Sequence, residues 1–224
     1  MGFAKGRSTA QILIEEGHTI LEHFIKGADT LFTSELSSIK EEKRNCLEDF
    51  YDPEPEIQQD YCSSIELGFE EVEQAQLNLI LSSRRVLLIA ISSYFERNLK
   101  QILELYGIKP KGKGTGQGQG NQGSIIDKLL DSIEKQKGAL PTTSNSLKDI
   151  VTNDLRHLRN HCIHDAVHDA VKAQTDIDSV INKNPALSFL DGELHIKDIQ
   201  VLLNYLNASK EFLEIIEEHC RNNP

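Results

Sequence analysis

The residues best suited to chemistry lie in one stretch, 153–169, which reads Asn-Asp-Leu-Arg156-His157-Leu-Arg159-Asn160-His161-Cys162-Ile-His164-Asp165-Ala-Val-His168-Asp169. Arg159 offers a permanent cation whose planar fork suits phosphate oxygens, and His164 can exchange a proton near neutral pH. Asn160 stands one helical turn before His164 and can orient it or a substrate. These are the parts needed for metal-independent cleavage of RNA. One group removes the 2'-OH proton, another stabilises the charge gathering on the phosphorus oxygens, and a third protonates the leaving 5'-oxygen. The plainer alternative is an arginine and a histidine satisfied by acidic neighbours on an exposed helix.

Two other chemistries compete for attention. His157, His161, His164 and His168 fall within a helical stripe roughly 60 degrees wide, and Asp165 and Asp169 lie nearby, so zinc or iron is a candidate ligand. One straight helix can bring only two or three such groups to a point, and Glu66, Glu70 and Glu73 read as a solvated acidic face, so the expectation is no bound metal and no cofactor. The segment from Gly107 to Lys113 has the spacing of a phosphate-binding loop. It has Gly114 where Ser or Thr should hold magnesium, and the element before it reads as helix rather than strand. Lys109, Lys111 and Lys113 remain a candidate cationic arm, against the alternative of a plain solvated loop.

The helix that carries the arginine and histidine is expected to have two working faces. Leu147, Val151, Leu155, Leu158 and Cys162 form a core-facing stripe, while Arg156, Asn160, Ile163 and Val167 point to nearly the opposite side. Arg159 and His164 bracket that second face, about 140 degrees apart on the wheel. One chain struggles to aim both at a single small atom, whereas two copies packed across the face can share a pocket, so a homodimer with a composite site is expected.

The run Arg159-Asn160-His161-Cys162-Ile163-His164 resembles the Arg-Asn-x-x-x-His form of the Arg-x4-6-His motif of the HEPN superfamily, the higher eukaryotes and prokaryotes nucleotide-binding domains. The context is similar too: the motif follows Leu-Arg-His-Leu on a late helix, and an upstream helix reads Ser-Ser-Tyr94-Phe95-Glu96-Arg97-Asn98-Leu99. The resemblance covers about residues 79–220. It implies a dimerising helical bundle acting as a metal-independent endoribonuclease of toxin-antitoxin, abortive-infection or other anti-phage systems, with RNA as substrate and a cognate antitoxin or defence-system partner. On that resemblance Arg159 and His164 are the catalytic pair, with Asn160 beside them. Glu96 and His161 are possible supporting residues. Ala166 replaces the tyrosine that some toxin members carry two residues after the histidine.

The elements that must position these groups are helical. Apolar residues recur at three- and four-residue steps over residues 8–50, as one long helix or two, until Pro53 and Pro55 interrupt it. Helix resumes near Glu56, and Leu88, Ile91, Phe95, Leu99, Ile102 and Tyr106 define a core helix. Seven glycines in residues 107–123 predict a loop. Helices follow at about 124–136, from about 147 to 171 and from 197 to about 220, with an Asp191-Gly192 hairpin between the last two. The expected fold is all-α: a helical bundle with long N-terminal helices and one small β-hairpin near the C-terminus. Residues 1–78 read as an N-terminal helical extension packed on a bundle of residues 79–224, forming one structural unit.

The chain has 224 residues and a formal charge of -11. That charge argues against non-specific coating of nucleic acid or anionic membrane, so RNA binding requires a local reversal. Arg84, Arg85, Arg97, Lys100 and Arg156, together with Arg159, are the candidates for such a patch. Four scattered cysteines suggest free thiols in a reducing compartment, and no apolar run is long enough to predict a membrane span. A cytoplasmic location is expected. The alternatives to a nuclease are a non-catalytic helical dimerisation or binding module and, further off, a His-rich metal-binding protein.

Overall fold

The structure is a computed structural model that describes residues 7–50, 54–110, 124–163, 170–190 and 192–223, the side chains of 170–176 excepted. Ser8 starts the first helix. Its hydroxyl accepts from the Gln11 amide while the Gln11 side chain accepts from the Ser8 amide, satisfying donors that a helix start otherwise leaves bare. Helix α1 then runs unbroken from Thr9–Asp49, one helix rather than two. After the proline-containing break, α2 spans Pro55–Leu105 and returns antiparallel to α1, with Pro55 in its first turn. Residue 79, where the extension was expected to meet the bundle, falls inside α2, so both parts share one continuous helix.

The far half of this pair is a two-helix arm. Between Ile25 and Ile80 no described residue is buried, and Phe32, Leu36, Ile39, Ile65 and Phe69 are half-buried. Two polar contacts and one ring stack fix the alignment: Gln76 Nε2 donates to the Phe32 carbonyl at 2.9 Å, Lys43 pairs with Glu73 at 3.5 Å, and Phe50 stacks on Tyr61 with ring centroids 3.6 Å apart. The near half enters the core. Leu88, Ile91, Phe95, Leu99 and Ile102 of α2 are buried with Phe212, Leu213 and Ile216 of the last helix. The α2 segment also holds a window of mean hydropathy 1.2, long enough to cross a membrane, of which 33% is buried in the fold.

Helix α3, Ile125–Lys137, has a capping pair made by Ser124 and Asp127. A 3-10 turn leads into α4, Asn145–Asp149, a π turn, Ile150–Asp154, and α5, Leu155–Ile163, as one uninterrupted helical segment. Helix is described again as α6, Ala170–Lys183. Strands β1, Leu187–Leu190, and β2, Glu193–Ile196, pair antiparallel with Leu187 opposite Ile196. Gly192 takes a φ of +82 in their turn, a conformation that residues with a Cβ rarely adopt. Asp198 caps the last helix, α7, Ile199–Asn222, by accepting from the Gln200 amide at 2.8 Å. The fold is therefore helical, with long N-terminal helices and one hairpin near the C-terminus, as expected from the periodicity.

Candidate active site

Helix α5 is seated by its apolar stripe. Val151, Leu155 and Leu158 are buried, and Leu147 and Cys162 pack against the core from partial exposure. On the other side Asn160 is exposed and Ile163 is 41% exposed, while Arg156 is half-buried and Val167, the fourth residue expected on that face, lies outside the described residues. The hairpin closes one flank of α5: His161 meets the ring of Phe189 edge-on at 5.5 Å. Neither Phe189 nor the hairpin's other contacts could be assigned to α5 from local sequence, because this packing is a tertiary event.

Arg159 is half-buried and differs from its neighbours in how it is satisfied. Its Nη1 donates to Asn160 Oδ1 at 3.5 Å, a long contact, while its Nε is shielded from solvent with no hydrogen-bond partner among the described residues. A guanidinium held this way retains donors for an incoming anion. His164, and with it Asp165, Val167, His168 and Asp169, lies outside the described residues.

Most of the other candidate cations are already matched by carboxylates or lie away from Arg159. Arg84 is buried, and its guanidinium is fully used inside the fold: Nε and Nη2 donate to Asp29 Oδ1 at 2.8 and 2.6 Å. Its Nη1 also donates to the carbonyls of Ile196 and Lys197. It holds α1, α2 and the end of β2 together, and is unavailable to a phosphate. Arg85 pairs with Glu193 at 2.6 Å, and Arg156 pairs with Asp127 at 3.3 Å. Arg97 and Lys100 lie further along α2, where Arg97 lines a cleft between α1 and α2 that includes no α5 residue. Lys100 is engaged by Glu96 one turn earlier, so the possible supporting carboxylate already has a cation. Lys109 is exposed, and Lys111 and Lys113 of the cationic arm lie outside the described residues.

Among the described residues no group of three or more His, Cys, Asp or Glu side chains is arranged to hold a metal. His157 and His161 are half-buried, Glu66 and Glu70 are exposed on the arm, and Glu73 is taken by Lys43. Cys162, inside the motif, is a poor nucleophile: burial pushes its thiol up to about 11, outweighing the opposing pull of the Arg85 charge. Iodoacetamide at pH 7.5 should therefore leave Cys162 unmodified in the native protein and alkylate it after denaturation, as peptide mass mapping would show. Rapid native labelling would contradict this burial.

The fold and site define a helical bundle whose late helix presents an arginine and an asparagine beside an open face. Compared with protein-family models, curated proteins and solved structures, the chain matches none of them.

Proposed function

We propose that the protein is a metal-independent endoribonuclease whose Arg159 and His164 act on RNA across the outward face of α5, in a homodimer. The observation that carries this reading is the unsatisfied state of Arg159. Arg84, Arg85 and Arg156 each have a carboxylate partner, whereas Arg159 has none among the described residues and its Nε is buried without a hydrogen bond among them, as is Arg221 Nε on α7. A buried donor without a partner costs stability, of the order of 1–3 kcal/mol. Such a donor calls for a partner from outside the fold, and an anionic ligand is the one this reading gives it. The resemblance of residues 159–164 to the HEPN motif gives that ligand a chemistry. Arg159 stabilises the charge developing on the scissile phosphate, His164 moves a proton to or from the sugar oxygens, and Asn160 orients one of them. Cytoplasmic anti-phage or toxin-antitoxin service, with an antitoxin or defence-system partner, belongs to the same reading.

The neutralisation of Arg84, Arg85 and Arg156 by Asp29, Glu193 and Asp127 favours a second reading, a non-catalytic helical interaction module, since it leaves little free positive charge to meet a polyanion. Product chemistry separates the two. Purified protein incubated with single-stranded RNA in EDTA should leave 2',3'-cyclic phosphate and 5'-hydroxyl ends, detected by end-labelling before and after phosphatase or kinase treatment. Cleavage that requires a divalent metal, or leaves 5'-phosphate ends, would overturn this mechanism.

A further inference from the structure

A second surface, away from α5, shows a different kind of incompleteness. Along one side of the α1–α2 pair, Ile20, Phe24 and Leu31 are 70%, 64% and 56% exposed, beside Leu79 and Val86 at 47% and 63%. The antiparallel alignment is fixed by three contacts: Tyr94 donates to the Ile14 carbonyl, Arg84 grips Asp29, and Gln76 donates to the Phe32 carbonyl. These place Phe24 level with Val86, and Leu31 level with Leu79. The five side chains thus form one strip beside the groove between the helices, exposing roughly 600 Å², against about 800 Å² that each partner buries in a standard interface. A strip of this size sits at the upper end of the apolar patches that single chains expose.

Towards the core end, the strip opens into a cleft of about 480 Å³ lined by residues that include Leu13, Gly17, Ile20, Ser93 and Arg97. Beside it Gly17 lets the Tyr94 ring lie close against α1: a Cβ there would stand 3.0 Å from the ring. Arg97 makes no hydrogen bond or ion pair with any described residue, and Glu16 on the cleft's other wall is not within pairing distance of it. Glu35, one turn beyond Leu31 on α1, is exposed and likewise unpaired among the described residues.

These features are evenly spaced about one point. Gly17 and Leu31 lie equally far from Phe24 along α1, in opposite directions, and so do Leu13 and Glu35. Arg97 is level with Leu13. A two-fold axis passing near Phe24 and Val86 therefore sets Leu31 and Leu79 of one copy over the Gly17 cleft of the other, and Glu35 over Arg97. Hole meets knob and charge meets counter-charge, twice, which is the self-complementarity an isologous contact requires and a foreign partner does not. We propose that the α1–α2 face is a homodimer interface in which two helix pairs form an antiparallel four-helix bundle about Phe24 and Val86. It does not depend on the nuclease reading, and it uses a face distinct from the outward side of α5.

Sedimentation equilibrium of the full chain tests it. The double variant Phe24→Glu/Val86→Glu should halve the sedimenting mass relative to the wild type while its helical circular dichroism persists. Arg97→Glu should weaken association about tenfold or more, and adding Glu35→Arg should restore it. Ile163→Glu, on the α5 face, serves as the separate probe of the composite nuclease site. A wild-type chain that is monomeric at tens of micromolar, an unchanged mass in the Phe24→Glu/Val86→Glu variant, or no rescue by the charge exchange would overturn the interface. Loss of RNA cleavage in Ile163→Glu alone would bear only on the nuclease.

Discussion

Replacing Arg159 by alanine should lower RNA cleavage by at least about 100-fold while leaving the melting temperature essentially unchanged. Removing one preorganised donor to a developing oxyanion typically costs 10²–10³ in rate, and a general acid or base contributes about 10²–10⁴, so His164→Ala should fall at least as far. The two losses should not multiply in the double variant, since groups that act on one transition state fail together. Stability should behave differently. Arg159 has a single long contact, to Asn160, and a buried Nε with no partner among the described residues, so its removal relieves about as much as it forfeits. Arg159→Lys is informative as well, because a lysine keeps the charge but loses the planar fork, and should recover only a small part of the rate. Rates measured on a defined oligonucleotide beside thermal melts of the same preparations check all of this. Equal activity in the wild type and both alanine variants, in protein that folds normally, would leave the interaction-module reading in possession of the site.

Arg84→Met should be among the most damaging single substitutions in the chain, destabilising it by about 3–5 kcal/mol. The guanidinium is nearly enclosed, with side-chain exposures of 9% for Arg84 and 15% for Asp29. Removing it leaves the Asp29 carboxylate without its cation, and the carbonyls of Ile196 and Lys197 without their donor. Three elements far apart in sequence lose their common tie at once. Adding Asp29→Leu should recover part of the loss, because the stranded charge is then gone while the two carbonyls still lack a donor. Urea midpoints of the wild type, the single variants and the pair give the coupling directly. A single variant within about 0.5 kcal/mol of the wild type would show that the Asp29 carboxylate finds water or another partner when the arginine is absent. The same experiment separates structural from functional arginines: Arg84→Met should cost stability, and Arg159→Ala should cost activity.

The amino-acid sequence by itself determined most of the helices but not all of their limits: the helix expected to end near residue 171 gives way to α6, which runs on to Lys183, and residues 8–50 could have been one helix or two. Three- and four-residue apolar spacing marked α2 and α7, and Ser8, Ser124 and Asp198 cap helix starts through contacts only two or three residues long. Asp191-Gly192 marked the hairpin because a positive φ is a local demand that glycine meets. The two faces of α5 were equally legible, since helical periodicity alone separates Leu155 and Leu158 from Asn160 and Ile163. The fate of the arginines was not. Arg84, Arg85, Arg97, Arg156 and Arg159 look alike in sequence, and what distinguishes them is a partner on another element: Asp29 and the end of β2 for Arg84, Glu193 for Arg85, Asp127 for Arg156. Likewise, the apolar spacing of α1 shows that it has an inward stripe, but not that α2 would leave Ile20, Phe24 and Leu31 uncovered. Local spacing governs which backbone forms, because hydrogen bonds and caps reach only a few residues. Which charges are neutralised and which apolar faces stay open depends on contacts between elements scores of residues apart, and only the packed tertiary structure decides those.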